Sequence, residues 1–141
     1  MNRQEILLAA LASGSREDFS PVQIQKLMFL IDKTIASSLG GPFFAFEPYH
    51  YGPFDVAVYN EFAQFEAQQL GHTEGDGRDR RYRLNDEGRE RALEILNKLS
   101  EPHRRYIAEL ATLVQSLSFT ALVSSVYKAY PEMKANSVFR G

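Results

Sequence analysis

Ser20-Pro21-Val22-Gln23-Ile24-Gln25-Lys26-Leu27-Met28-Phe29-Leu30 is the stretch on which the fold turns. Serine followed by proline is a strong helix start: the hydroxyl accepts an otherwise unpaired backbone N–H, and proline is pre-set for the first helical position. Ile24, Leu27, Met28, Ile31 and Ile35 then recur at steps of three and four, and Phe29 and Leu30 widen the stripe. Gly40-Gly41-Pro42 stops this helix near Leu39. Its width predicts a central position in the core. Gln25 and Lys26 fall off the stripe and are expected to reach solvent or the following turn.

Upstream, Ile6, Leu7 and Leu11 predict an amphipathic helix over 3–13 that ends at Ser13-Gly14. The acidic Glu5 beside this apolar run, with no cleavage site after it, argues for a helix instead of a signal peptide. Downstream, Phe43 to His50 is aromatic-rich, with Phe44, Phe46 and Tyr49 lining one side of an extended segment. Tyr51-Gly52-Pro53 reads as a turn, with Pro53 setting the next helix. Phe54, Val58, Phe62 and Phe65 give that helix its stripe, closing near Leu70-Gly71. A Gly/Asp-rich loop from Thr73 to Asp79 leads into Arg80–Leu84, where Tyr82 and Leu84 alternate with Arg81 and Arg83 as in a strand. Asn85 is expected to cap a fourth helix facing inward through Ala92, Leu93, Leu96 and Leu99. Ser100-Glu101-Pro102 starts a fifth, with Leu110, Leu113, Val114 and Leu117 repeating. Ser118 caps a sixth, which carries Leu122, Val123, Val126, Tyr127 and Tyr130 and ends at Pro131. The tail from Met133 to Gly141 is expected to be extended. The pattern predicts a mainly α (α+β) fold: a helical domain with a small antiparallel sheet or β-hairpin, winged-helix-like in its order.

At 141 residues the chain has the length of one domain, covering 1–141, and 44% apolar with 24% charged residues is a globular composition. With no cysteine there is no disulfide scaffold, thiol nucleophile or cysteine-ligated metal. No apolar run approaches the roughly 20 residues that span a bilayer, so a cytoplasmic protein without a membrane role is expected. The net charge of −2 is unevenly spread. Residues 1–33 carry four bases and four acids. Residues 34–77 carry no base and six acids (Glu47, Asp55, Glu61, Glu66, Glu74, Asp76), and residues 78–141 carry twelve bases and eight acids. Such asymmetry sorts surfaces by the partners they attract.

Catalytic signals are weak. His50, His72 and His103 lie in separate segments without a metal-ligand spacing, no serine sits in a nucleophile elbow, and neither Gly40-Gly41 nor Gly75-Asp76-Gly77 has a phosphate-loop pattern. No enzyme, cofactor or metal is expected. DNA binding has one argument for it and one against. Arg78, Arg80, Arg81, Arg83 and Arg89 gather on and beside the hairpin, where a wing lays arginines along phosphates. The helix over 54–69, which would enter the major groove, holds Asp55, Glu61 and Glu66 without one Lys or Arg, and carboxylates aimed at a polyanion cost affinity.

The Ser20–Leu30 stretch, followed some twenty residues later by Tyr51-Gly52-Pro53-Phe54 and Val58-Tyr59, resembles the Panacea domain family of SocA-like antitoxins. Its hallmarks there are a glutamine–lysine–leucine–aromatic helix and a tyrosine–glycine–proline turn with a tyrosine beyond it. Tyr49-His50 stands where the family commonly places a tryptophan and another residue. The resemblance covers roughly residues 3–70. Residues 71–100 read as hairpin and exit helix, and 101–141 as C-terminal helices. It implies a mostly helical domain that neutralises a toxin through protein contacts, in a family often encoded beside phage or defence genes. The expected partner face is the acidic, aromatic middle: Glu47, Asp55, Glu61 and Glu66 for charge, the exposed rings of Phe43 and Tyr49 as anchors, and Tyr51 at the turn. The alternatives are a winged-helix DNA-binding regulator using Arg78, Arg80, Arg81, Arg83 and Arg89, and a homodimer pairing its acidic middle with the basic C-terminal part of a second copy.

Overall fold

The computed structural model describes residues 1–140; Gly141, the last residue of the expected extended tail, lies outside the described residues. Helices α1 (Arg3–Leu11), α2 (Pro21–Thr34), α3 (Val56–Ala67), α4 (Asp86–Asn97), α5 (Glu101–Ser116) and α6 (Phe119–Ala129) supply most of the mass. Strands β1 (Asp18–Phe19), β4 (Gly71–Glu74) and β5 (Arg81–Leu84) form an antiparallel sheet in the order β1-β5-β4, and β2 (Glu47–Tyr49) and β3 (Gly52–Phe54) form a separate hairpin. The fold is mainly α with a little β, as the pattern predicts. Among the described residues no helix is long and apolar enough to cross a membrane.

The centre belongs to α1, not to α2 alone. Six consecutive residues, Ile6 to Leu11, are buried, because α2, α3, α4, α5 and β5 all pack against α1. An apolar run surrounded on every side has no solvent stripe, so the expected amphipathic face is absent. The α1 start is fixed by a capping box in which Asn2 and Glu5 exchange hydrogen bonds, and Ser20 and Gln23 do the same for α2. A 3₁₀ turn, Ala36–Leu39, continues α2 before Gly40 leaves it at φ +98°.

Three local expectations are corrected. Pro53 does not start α3: it lies in β3 opposite Pro48, and Asp55 caps the helix by accepting from the Ala57 N–H. Asn85 occupies the cap position of α4 without capping it, because its side chain bonds the His72 ring (2.6 Å) and the Gln69 carbonyl. The inward faces of α4 and α5 are rotated: Gly88, Ala92 and Leu96 are buried while Leu93 is exposed, and Ile107, Ala111, Val114 and Gln115 are buried while Leu113 is exposed. Gly88 explains the first rotation. A Cβ there would lie 2.0 Å from the Leu70 carbonyl oxygen, which also accepts the Asn85 N–H at 2.8 Å, so the first turn of α4 is pressed against backbone.

Gln115 repeats that tightness across 99 residues. Its amide donates to the Arg16 and Asp18 carbonyls and accepts from the Arg16 N–H, which holds the chain entering β1. After α6 the chain makes a 3₁₀ turn at Pro131–Lys134 instead of extending at once. It then docks on the β2–β3 hairpin, with the Val138 N–H donating to the His50 carbonyl (2.9 Å) and the Asn136 amide to the Pro48 carbonyl (3.2 Å).

Candidate functional site

The off-stripe residues of α2 build the site. Gln25 reaches the following turn, as expected: its amide donates to the Asp55 carbonyl and accepts the Asp55 N–H, both at 3.0 Å. This reciprocal pair imitates one rung of a β-ladder and fixes where β3 ends and α3 begins. Lys26 does not reach solvent. Only 2% of it is exposed, because the β2–β3 hairpin folds back over that side of α2. Gly52 lies directly over it. A Cβ at Gly52 would come within 3.2 Å of Lys26 Nζ, and Gly52 adopts φ +110°, a conformation that side chains rarely take. Among the described residues Lys26 has neither an ion-pair nor a hydrogen-bond partner, and desolvation by burial pulls its pKa from 10.5 down to about 7.

Phe43 is not an exposed anchor. It is 7% exposed and belongs to the core, because Asp32 accepts the Phe43 and Phe44 N–H groups at 2.9 and 2.8 Å and draws this segment onto α2. Burial raises the Asp32 pKa, opposed by those two bonds and by nearby Arg3. Tyr49 and Tyr51 are exposed, at 49% and 38%. Rings run from Tyr49 inward: Tyr49 to Phe54 (5.1 Å between centroids), Phe54 to Tyr59 (5.7 Å), and Tyr59 stacked on Tyr82 (5.5 Å). The hairpin register sets Glu47 opposite Phe54, on the face that carries Tyr49. Asp55 is spent internally on the Ala45 and Ala57 N–H groups. Glu47 and Glu66 are exposed and Glu61 is half-buried, and none of the three forms an ion pair among the described residues.

The arginines of the second hairpin are differently placed. Arg83 meets Glu17 (3.0 Å), Glu74 (3.1 Å) and Asp18 (4.0 Å), and Arg89 lies 3.7 Å from Glu17. Arg81 donates to the Arg78 and Arg80 carbonyls. Arg78 and Arg80 are exposed.

Between the two hairpins opens a cleft of about 820 Å³. Lys26 and Gly52 line it from α2 and the first hairpin, Tyr51, Phe54 and Phe119 bring rings, and Arg16, Arg78 and Arg81 bring cations. Beside it, the Tyr127 hydroxyl is buried without a hydrogen-bond partner. The helical period places Lys26 on the side of α2 away from the stripe, and although Tyr51-Gly52-Pro53 signals the turn, no local signal shows that its hairpin folds over Lys26. Among the described residues, no group of three His, Cys, Asp or Glu side chains is close enough to hold a metal ion.

Residues 24–131 match the family model described as antitoxin SocA-like, Panacea domain. No curated protein and no solved structure matches the chain.

Proposed function

The chain belongs to the SocA-like antitoxin family of the Panacea domain, and from that premise we propose that it is a non-enzymatic antitoxin that binds a protein toxin directly in the cytoplasm. The observation that carries the binding face is the placement of unspent charge. Glu47, Glu61 and Glu66 have no cation among the described residues, and Glu47 stands beside the outward end of a ring series that starts at Tyr49. Free carboxylates steer a basic partner, and half-exposed tyrosines supply contact area at low entropic cost. Tyr49 and Tyr51 are the anchors of this face. Glu47, Glu61 and Glu66 are its steering charges, and Asp55 serves it indirectly by capping α3.

The element order supports a winged-helix-like frame: α1, β1, α2, then α3, β4, β5 and α4, with β1 as the third strand of the sheet. A DNA-binding use of that frame has less support, because Arg83 and Arg89 already neutralise Glu17, Asp18 and Glu74.

The test is co-expression with the products of the genes adjacent to its own, each assayed for toxicity alone. The expected result is a stoichiometric complex and restored growth, with Glu47→Lys/Glu61→Lys/Glu66→Lys slowing association at least tenfold at low salt. No stoichiometric protein partner, together with retardation of duplex DNA that Arg80→Gln/Arg81→Gln abolishes, would replace this reading with the regulator.

A further inference from the structure

A buried ammonium needs a counter-charge or a hydrogen-bond acceptor, and Lys26 has neither among the described residues. Its side chain nonetheless lines the cleft instead of being sealed in the core, and Gly52 leaves room for Nζ where any side chain would crowd it. The charged side chains lining the cleft with it are Arg16, Arg78, Arg81 and Asp18, plus His50 if protonated. Asp18 is within reach of Arg16 (3.7 Å) and Arg83 (4.0 Å). The cleft is therefore cationic, with one desolvated cation at its floor and rings of Tyr51, Phe54 and Phe119 on its walls. Arg81 spends its Nη1 on the Arg78 and Arg80 carbonyls and Arg16 faces Asp18 at 3.7 Å, which leaves the Arg78 guanidinium, on the exposed second hairpin, as the unengaged fork at the rim, whereas Lys26 is the desolvated cation at the floor. A lone ammonium among apolar walls suits a single carboxylate carried on an apolar body.

We propose that this cleft takes an acidic peptide segment of the protein partner, seating an Asp or Glu carboxylate on Lys26 Nζ and flanking apolar side chains on Tyr51, Phe54 and Phe119. The inference rests on the reading that the partner is a protein, and it adds the chemistry of the docking segment. Seating the carboxylate supplies the missing counter-charge in a desolvated site, where an ion pair is worth more than at the surface. The free carboxylates Glu47, Glu61 and Glu66 then steer the surrounding basic surface of the same partner, while the cleft sets the register of one acidic side chain.

The experiment pans a random seven-residue peptide library displayed on phage against the full chain, with Lys26→Met as the counter-target. The expected result is enrichment of sequences with Asp or Glu next to an apolar residue. A synthetic copy should bind the wild-type chain at least about tenfold more tightly than it binds Lys26→Met. It should also bind at least about tenfold more tightly than its own Glu→Gln or Asp→Asn version. Phe119→Ala, which keeps the lysine, should weaken the same peptide and decides the matter if Lys26→Met does not fold. Enrichment of neutral or basic peptides, no enrichment, or equal binding to both variants overturns the proposal. So does Lys26-dependent binding of ADP or inorganic phosphate in place of peptide, which would make the cleft a phosphate site. Growth rescue by the wild-type chain reads the antitoxin role separately, so either idea can fail while the other stands.

Discussion

The two hairpins are attached to the helices by opposite means. The first, β2–β3, is held by neutral bonds and rings: Gln25 to the Asp55 backbone, Gly52 laid over Lys26, and the tail bonded to His50 and Pro48. The second, β4–β5, is held by ion pairs, with Arg83 among Glu17, Asp18 and Glu74 and with Arg89 on Glu17. The acidic region therefore keeps much of its charge available, and the basic hairpin consumes part of its own. A segment's formal charge is thus a poor guide to what it offers a partner; what counts is how much the fold has already neutralised.

The comparison can be broken most forcefully at Lys26. Between pH 7 and 10.5 the unfolded chain holds a proton that the folded chain lacks, so stability rises with pH through that window. Below pH 7 both states are charged and folding carries the whole desolvation cost, at most about 5 kcal/mol for a shift of this size at 1.36 kcal/mol per unit. Lys26→Met should stabilise the protein most at pH 6, by a few kcal/mol, and not at all above pH 10.5. Urea melts at both ends of the range check this, and a variant no more stable than wild type at pH 6 would mean that Lys26 has a counter-charge.

Gly88→Ala comes next. The added Cβ meets the Leu70 carbonyl at 2.0 Å, so α4 must move away from the entry of β4, at a cost of about 3 kcal/mol. Thermal melts measure it. Gln25→Leu leaves the Asp55 N–H unpaired and its carbonyl with only the Val58 N–H (3.1 Å), and should cost about 2 kcal/mol, independent of salt. Arg83→Gln is the smallest. Its half-exposed ion pairs are worth under about 1 kcal/mol, and raising the salt to 1 M should erase most of that difference. A salt-insensitive Arg83→Gln or a salt-sensitive Gln25→Leu would undo the distinction between the hairpins.

Sequence pattern made the helices legible wherever local chemistry sets them: Ser20, Ser100 and Ser118 each accept a backbone N–H at a helix start, as their positions suggest. The hairpin strand at Arg81–Leu84 was legible from its alternation. What stayed hidden is non-local. Periodicity shows that Lys26 lies off the buried stripe of α2, but a hairpin some 26 residues later decides whether that side is wet. Phe43 was misjudged for the same reason, since Asp32, eleven residues earlier, accepts its N–H and pulls it inward. Glu17 neutralises Arg83 across 66 residues, a pairing that no local window contains. Tyr49 was legible as an exposed ring in the aromatic segment before the turn, and it is exposed.

The bond from Asn136 to the Pro48 carbonyl spans 88 residues. During synthesis the strands around Tyr49 leave the ribosome long before the segment that braces them. At typical elongation speeds of about 5–20 residues per second, the interval is several seconds. For that time the hairpin has its rings but not its brace, so the chain passes through an early form whose first hairpin is softer than in the finished molecule.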